Sequence, residues 1–225
     1  LGTVEHLKNP SLSKMYEFYR KFYVPNNMAI IISGDIDIPK AKKIITKYFS
    51  SWKKKDVPEY IVPQEKPLTG VEKVDVNYKG QEKLTLAFRT VPFKHPDKPV
   101  LTVLDMILDN GETGLIRLDL VNSQKVLSAG AGPSFDEDYG AEYIYGIPKQ
   151  DQTLEDVQKL LLNEVEKVKK GEFDESVLPG IILDFEISQK RSLETNEGRV
   201  GTMKEAFLRG VSVDELINFT EKLKK

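Results

Sequence analysis

EFYRKFYVPNNMAIIISGDID, residues 17–37, joins two different hydrophobic periodicities through a Pro-Asn-Asn turn. Residues 11–23 place apolar side chains at every third or fourth position, which predicts an amphipathic helix. Pro25 disfavours helix at the residue before it, and asparagine tolerates turn geometry. The continuous apolar run over 27–33 then predicts a strand covered on both faces. The chain is therefore expected to pass from helix to strand at this junction.

The residues on the C-terminal side of this junction predict a second helix and then a linker. Residues 35–49 carry Pro39 near their start and an inward-facing apolar stripe, which is typical of an amphipathic helix. Residues 1–50 therefore predict a helix-strand-helix unit. Residues 51–70 contain three prolines and mixed charge without periodicity, which predicts an extended linker over a surface.

A second unit is predicted over residues 71–225. Its elements are, in order, a pair of strands around Lys79-Gly80-Gln81, a helix at 99–109, a shorter helix in 113–124, strands at 126–134 and 141–147 around an acidic turn, a helix at 153–170, and an all-helical remainder. This order predicts an α+β fold, with a largely antiparallel sheet and helices packed on one face. The sheet is expected to bury Val74, Val76, Leu84 and Leu86 or their alternating neighbours.

Composition excludes several classes of function. With 33 basic and 35 acidic residues, the chain lacks the positive field that draws proteins to nucleic acid or anionic membranes. No apolar run approaches the roughly 18 residues of a membrane span. The absence of cysteine excludes disulfides, thiolate catalysis and sulfur-based zinc sites, and leaves the cellular compartment undetermined. The leucine at position 1 indicates a piece of a longer protein.

Catalytic and metal-binding patterns are not found in the sequence. The two histidines, His6 and His95, lie in polar segments flanked by prolines and are interpreted as solvated loop residues. Neither belongs to an H-x-x-E-H or inverted zinc motif, and there is no nucleophile elbow or phosphate-binding loop. The acidic DEDYG at 136–140 lacks the spacing of a calcium loop and predicts a hairpin turn. No catalytic, substrate-binding or metal-ligating residue is assigned.

The segment LGTVEHLKNPSLSKMYEFYRKFYVPNNMAIIISGDID resembles a junction found in zinc peptidases of the pitrilysin, insulysin and mitochondrial processing peptidase family. The resemblance extends over essentially the whole chain and implies three parts. Residues 1–50 would close one repeat domain, 51–70 would cross to the next, and 71–225 would form a non-catalytic domain truncated at its C-terminal end. The likeness of SLSKMYEFYRKF at 11–22 to SVDELINFTEKL at 212–223 agrees with such repeats.

The resemblance also implies where the chemistry of the family lies. Its zinc helix, with two histidine ligands and a glutamate base, would precede Leu1, so zinc is expected in the parent protein and not in this chain. An arginine and a tyrosine of the family hold the substrate backbone, and the matching stretch LVNSQKVLS has Val121 and Ser128 instead. Valine cannot donate a hydrogen bond and serine is too short to replace a phenol, so both roles are lost.

The leading hypothesis is a non-catalytic, chamber-forming and substrate-enclosing part of a zinc metalloendopeptidase, inactive by itself. The alternatives are a scaffold or assembly subunit of a catalytically inactive relative, or an unrelated peptide-binding module. Expected partners are a peptide or protein substrate through the parent, other domains of the same chain, and a second copy of this chain. Residues 26–49 would complete the sheet of the second domain, within one chain or by exchange between two copies.

Overall fold

The computed structural model describes residues 3–224, so residues 1, 2 and 225, the outermost positions of the two predicted units, lie outside it. Within that range the helices are α1 (Val4–Lys8), α2 (Leu12–Phe22), α3 (Ile38–Phe49), α4 (Lys98–Leu108), α5 (Leu154–Lys170), α6 (Leu178–Glu194), α7 (Asn196–Arg209), α8 (Val213–Ile217) and α9 (Thr220–Leu223). The strands are β1 (Leu84–Thr90), β2 (Ser128–Phe135) and β3 (Gly140–Ile147), and Ile116–Asn122 forms a π-helical turn. None of these helices is both long and apolar enough to cross a membrane.

The three strands form one antiparallel sheet in the order β1-β3-β2. Leu86 of β1 lies opposite Ile144 of β3, which in turn lies opposite Ala131 of β2. Residues 136–139 connect β2 to β3, as the hairpin turn predicted for DEDYG requires. The α+β fold class and the antiparallel sheet are thereby confirmed.

Helices cover one face of this sheet. The buried core lies between that face, α4, α5 and the π-helical turn, and its members are Leu108, Ile116, Leu120, Val126, Ile144, Val157 and Leu161. On the opposite face, Tyr143 of β3 remains 47% exposed. The predicted arrangement of helices on one face of the sheet agrees with this packing.

Helix α5 approaches β3 closely at one glycine. A Cβ built on Gly146 would lie 2.5 Å from Cγ1 of Val157, which is shorter than any ordinary contact between carbon atoms. Gly146 lies next to the buried Ile144 pair in the ladder, so the helix rests directly on the strand backbone there. Any side chain at this position would push α5 away from the core.

The ends of α5 follow local sequence signals. The Thr153 hydroxyl accepts from the Asp156 backbone N–H at 3.1 Å, and the Asp156 carboxylate accepts from Thr153 in return. Gly171 ends the helix in the left-handed conformation with φ of 71°. These caps place the helix where its periodicity predicts it.

A charged cluster joins α5 to the π-helical turn. Glu164 is 1% exposed, and its carboxylate accepts a hydrogen bond from Lys167 Nζ at 2.8 Å. The same ammonium lies 2.6 Å from a carboxylate oxygen of Asp119. Although desolvation lowers the pKa of Lys167, the hydrogen bonds that its ammonium donates to Asp119 and Glu164 outweigh that effect and raise the pKa. The Lys167 ammonium is therefore the cation that pairs with the buried carboxyl group of Glu164.

Two of the predicted strands, 27–33 and the first of the pair around Lys79-Gly80-Gln81, are not formed within the described chain. Residues 28–33 form no ladder with β1, β2 or β3, and neither do residues 71–78. Val74 is 82% exposed and Val76 is 76% exposed, whereas Leu84 and Leu86 do pack on the core. An alternating pattern determines which side chains share a face, but a ladder also requires an adjacent strand edge. Neither segment pairs with an edge of the described sheet, so the predicted completion of that sheet by residues 26–49 within one chain is wrong for the described residues.

Two acidic side chains lie buried close together between α4 and β3. Asp105 is 9% exposed and Glu142 is 7% exposed. Asp105 Oδ1 and Glu142 Oε1 have no hydrogen-bond partner among the described residues. Burial, and then the charge of Asp105, raise the pKa of Glu142 to about 8. Burial raises the pKa of Asp105 to about 6, so the pair retains a proton at neutral pH.

The free energy of unfolding is expected to fall as pH rises from about 4 to about 8. The folded state binds the protons of Asp105 and Glu142 more tightly than the unfolded chain does, so stability present at low pH is lost on deprotonation. Glu142→Gln keeps the size of the side chain and replaces its ionisable carboxyl group with a neutral amide. Urea unfolding should show this variant to be more stable than the unaltered chain above pH 8, by about 1–3 kcal/mol.

The matched control for this prediction is Glu137→Gln, in the exposed part of the β2–β3 turn. It removes one carboxylate without touching the buried pair, so its stability should follow the same pH dependence as that of the unaltered chain. A Glu142→Gln variant with an undiminished loss of stability between about pH 5 and pH 8 would contradict the assignment to this pair.

Candidate functional site

The two histidines make local backbone contacts at separate places. His6 was expected in a loop, but it lies in α1, because Thr3 caps that helix by accepting from the His6 N–H at 3.3 Å. Its Nδ1 accepts from the Thr3 N–H at 3.3 Å. His95 Nδ1 accepts from the Asp97 N–H at 3.1 Å. Over residues 3–224, no three histidine or acidic side chains are grouped so that they could hold a metal ion.

The two positions that match substrate-binding residues of the resembled family, Val121 and Ser128, take part in the packing of the fold. Val121 lies in the π-helical turn and packs against the buried core. Ser128 begins β2 and pairs in the ladder with Ile147. Neither side chain offers a cation or a phenol, so the geometry adds no substrate-binding group at these positions.

A group of exposed apolar side chains lies on α2, on the Tyr23 that follows it and on α3, and we call it the N-terminal apolar surface. It consists of residues that are between 48% and 75% exposed, namely Leu12, Met15, Tyr16, Phe18, Tyr19, Tyr23, Ile38, Ile44 and Tyr48. The rings of Phe18 and Phe22 are tilted relative to each other, with centroids 4.6 Å apart, and those of Tyr19 and Tyr23 stack with centroids 4.8 Å apart. Exposed apolar side chains grouped along helices in this way are typical of a surface that contacts another protein or domain.

Few contacts hold this surface to the remainder of the structure. In the turn after α2, Asn26 exchanges two hydrogen bonds with the backbone of Lys55, at 2.9 and 3.2 Å. Ser33 Oγ donates to Asn196 Oδ1 of α7 at 3.0 Å. These contacts are polar and leave the apolar stripe of α2 uncovered.

The predicted linker lies across the β2–β3 turn. The Tyr139 hydroxyl accepts from the Glu65 N–H at 3.1 Å and donates to the Pro63 carbonyl at 3.0 Å. Tyr60 donates to Asp138 at 2.7 Å, and this hydrogen bond raises the pKa of the Tyr60 phenol. The sequence analysis singled out none of these residues, and their only signal was a tyrosine inside an otherwise acidic turn. We call these hydrogen bonds between residues 60–66 and the β2–β3 turn the strap, and they attach the linker to the hairpin.

Residues 11–182 match the model of a protein family described as the Peptidase M16 inactive domain. Among named relatives, the zinc protease PqqE of Helicobacter pylori is 24% identical over 208 residues, which are 89% of this chain and 46% of that protein. The uncharacterized zinc protease YmfH of Bacillus subtilis is 28% identical over 178 residues, which are 72% of this chain and 40% of that protein. The chain therefore spans about half the length of these relatives.

Solved structures have the same fold. A protease from Helicobacter pylori matches with a TM-score of 0.81 and 20% identity, covering 99% of this chain and 55% of that one. A peptidase M16 inactive domain from Pseudomonas fluorescens matches with a TM-score of 0.80 and 17% identity, covering 99% and 53%. The α+β sheet with helices on one face is thus shared with peptidase structures. Because the family model matches well over half of its residues, the chain belongs to the family of the Peptidase M16 inactive domain.

Proposed function

We propose that this chain is the chamber-forming, substrate-enclosing part of a zinc metalloendopeptidase that hydrolyses peptides or proteins. The family membership supports a non-catalytic role, and the N-terminal apolar surface carries the proposal further. Exposed apolar surface of this kind is typical of a region that packs against another protein or domain. Zinc and the peptide-cleaving groups would belong to other parts of a longer parent protein, as in the relatives named zinc proteases.

The proposed division of the chain follows the same reasoning. Residues 1–50 would end a preceding repeat domain, 51–70 would be the linker, and 71–225 would form the non-catalytic domain. The strap between residues 60–66 and the β2–β3 turn supports this division, because it attaches the linker to the second domain. The N-terminal apolar surface would then pack against the preceding domain, and residues 28–33 would pair with its sheet or with a second copy of this chain.

A scaffold role in an inactive relative is the second candidate, since it would use the same surfaces. The zinc content of the parent protein distinguishes the two functions. Stoichiometric zinc and peptide hydrolysis in the parent support the peptidase, whereas their absence in a folded parent supports the scaffold. The third hypothesis, an unrelated peptide-binding module, is wrong because the chain belongs to the M16 family.

The chain alone should bind no zinc tightly and cleave no peptide. A tight zinc site requires three or four grouped ligands, and neither His6 nor His95 has two such neighbours in the described chain. Metal analysis of chelator-washed protein, together with a fluorogenic peptide assay, checks both points. His6→Ala and His95→Ala serve as comparison variants. One zinc per chain that disappears in either variant would show that this chain does contain a metal site.

Lysine substitutions on the N-terminal apolar surface should weaken association without unfolding the chain. Met15 and Tyr19 are 56% and 52% exposed, so replacing both with lysine should change the free energy of unfolding by only about 0.5 kcal/mol. Burial of each at an interface is worth about 1.5–3 kcal/mol. Sedimentation should therefore show at least about tenfold weaker binding to the rest of the parent, or to a second copy.

Glu172→Lys is the matched control for this pair, because it changes the net charge by the same amount. Glu172 is exposed at the end of α5, away from the N-terminal apolar surface. Association of this variant should equal that of the unaltered chain. If the Met15→Lys, Tyr19→Lys double variant associates as tightly as the control, the proposed contact surface is wrong.

A further inference from the structure

A groove of about 510 Å³ lies between α4, the end of β2, α6, α7 and α8, and we call it the α4–α7 groove. Small-molecule sites are typically about 300–1,000 Å³ and predominantly apolar. The walls of this groove are mainly apolar and include Pro133, Phe185, Leu193 and Ile217. It has the size and the lining of a ligand site, and no residue of the M16 active site is assigned to it.

Lys98 at the start of α4 supplies a positive charge to the groove. Its Nζ lies 3.6 Å from the ring centroid of Phe93, 4.5 Å from that of Phe219 and 5.6 Å from that of Phe135. In residues 3–224, this ammonium has no hydrogen bond and no carboxylate within 4 Å. Aromatic faces attract a cation but do not neutralise its charge. Lys98 is therefore a half-buried cation without an anion.

The acidic residues near Lys98 are already paired with other cations. Glu205 lies 2.8 Å from Nε of Arg209, and Glu215 lies 3.2 Å from Nζ of Lys222. The three cations and two carboxylates leave one positive charge uncompensated. Burial, followed by repulsion from Arg209, lowers the pKa of Lys98 to about 8. A carboxylate placed beside Lys98 would complete the charge balance and would favour its protonated form.

The polar side chains along the groove are satisfied by the protein itself. The hydroxyls of Thr102 and Thr202 donate to carbonyls of their own helices at 2.9 and 3.0 Å. Gln189 donates to the Leu216 carbonyl at 2.7 Å and accepts from the Thr220 hydroxyl at 2.9 Å. A peptide in this groove would leave its amide groups without partners, which is costly. The chemistry of the lining therefore favours an apolar tail without amides.

We propose that the α4–α7 groove binds a single-headed amphipathic carboxylate, such as a medium- or long-chain fatty acid. The carboxylate contacts Lys98 Nζ, and the alkyl tail lies against Phe185, Leu193 and Ile217. In this complex the carboxylate pairs with the unpaired cation, and the alkyl tail covers the apolar walls around it. This site is independent of the peptidase proposal and stands or falls separately.

Calorimetric titration of the 225-residue chain with dodecanoate, below its micelle threshold, tests the proposal. One molecule should bind per chain, and dodecylammonium, with the same tail and the opposite charge, should bind at least about tenfold more weakly. Lys98→Met retains the packing over the aromatic rings and removes the charge, so dodecanoate binding should weaken by about tenfold or more. Lys98→Arg should retain it. Lys204→Met, on the exposed side of α7, is the control and should bind like the unaltered chain.

Gly201→Leu tests the position of the tail. Gly201 lines the groove, and a Cβ built there meets no heavy atom within 4 Å, so a leucine side chain would enter open space. Glycine is a poor helix former, so the Gly201→Leu variant of the 225-residue chain should have a Tm that is unchanged or higher. Dodecanoate binding should nevertheless be lost. A loss of binding without loss of Tm distinguishes a filled groove from an unfolded one.

Binding should also depend on pH in a way that nonspecific apolar adsorption does not. Dodecanoate affinity should fall as pH rises through about 8, where Lys98 loses its proton, and Lys98→Arg should remove this dependence. The proposal is overturned if dodecanoate does not bind, if dodecylammonium binds equally well, or if Lys98→Met and Gly201→Leu leave the affinity unchanged. Binding of a peptide with an apolar C-terminal residue in place of dodecanoate would also overturn it.

Discussion

The packing of α5 on β3 is the contact on which the rest of the second unit depends. At Gly146 the strand has no side chain, so Val157 of the helix comes down onto its backbone beside the buried Ile144. Apolar burial at about 25 cal/mol per Å² makes this face of the sheet the main source of stability. Because α5 and α4 both occupy it, the opposite face stays open, and Tyr143 remains exposed there.

The same packing explains why ionisable groups are found inside a small core. Glu164 is compensated by Lys167, whereas Asp105 and Glu142 lie under the sheet without a cation. A carboxyl group in such a position avoids the cost of a buried charge by keeping its proton. The stability of the core is therefore expected to respond to pH over the range in which Asp105 and Glu142 lose their protons.

The exposed apolar side chains of α2 and α3 agree with a chain that packs against another protein or domain. α2 and α3 carry aromatic side chains that remain about half exposed in the described chain. Their contacts include the Phe49–Trp52 ring pair with the linker and a hydrogen bond from Ser33, between the two helices, to Asn196 of α7. In contrast, the linker is tied firmly to the β2–β3 turn through Tyr139. This arrangement supports the proposal of two units, one self-contained and one that requires a covering surface, in a family whose matched domain is described as inactive.

Local physics made the helices and their ends readable from the residues alone. Apolar spacing predicted α2 and α3, and the helices predicted at 99–109 and 153–170 agree with α4 and α5. The caps of α5 at Thr153 and Gly171 act within one helical turn, so its ends depend on neighbouring residues. The same patterns identified the family, because a helix, a Pro-Asn-Asn turn and an apolar run in fixed order are carried by neighbouring residues.

Strand pairing was different. Alternation at Val74 and Val76 resembled that at Leu84 and Leu86, yet only the latter pair packs on the core, because a ladder requires a neighbouring edge that no local pattern specifies. Lys98, Asp105 and Glu142 are likewise ordinary residues in the sequence. Tertiary packing decided that the carboxylates near Lys98 pair with other cations and that Asp105 and Glu142 are shielded from water. Both outcomes depend on residues far apart in the chain.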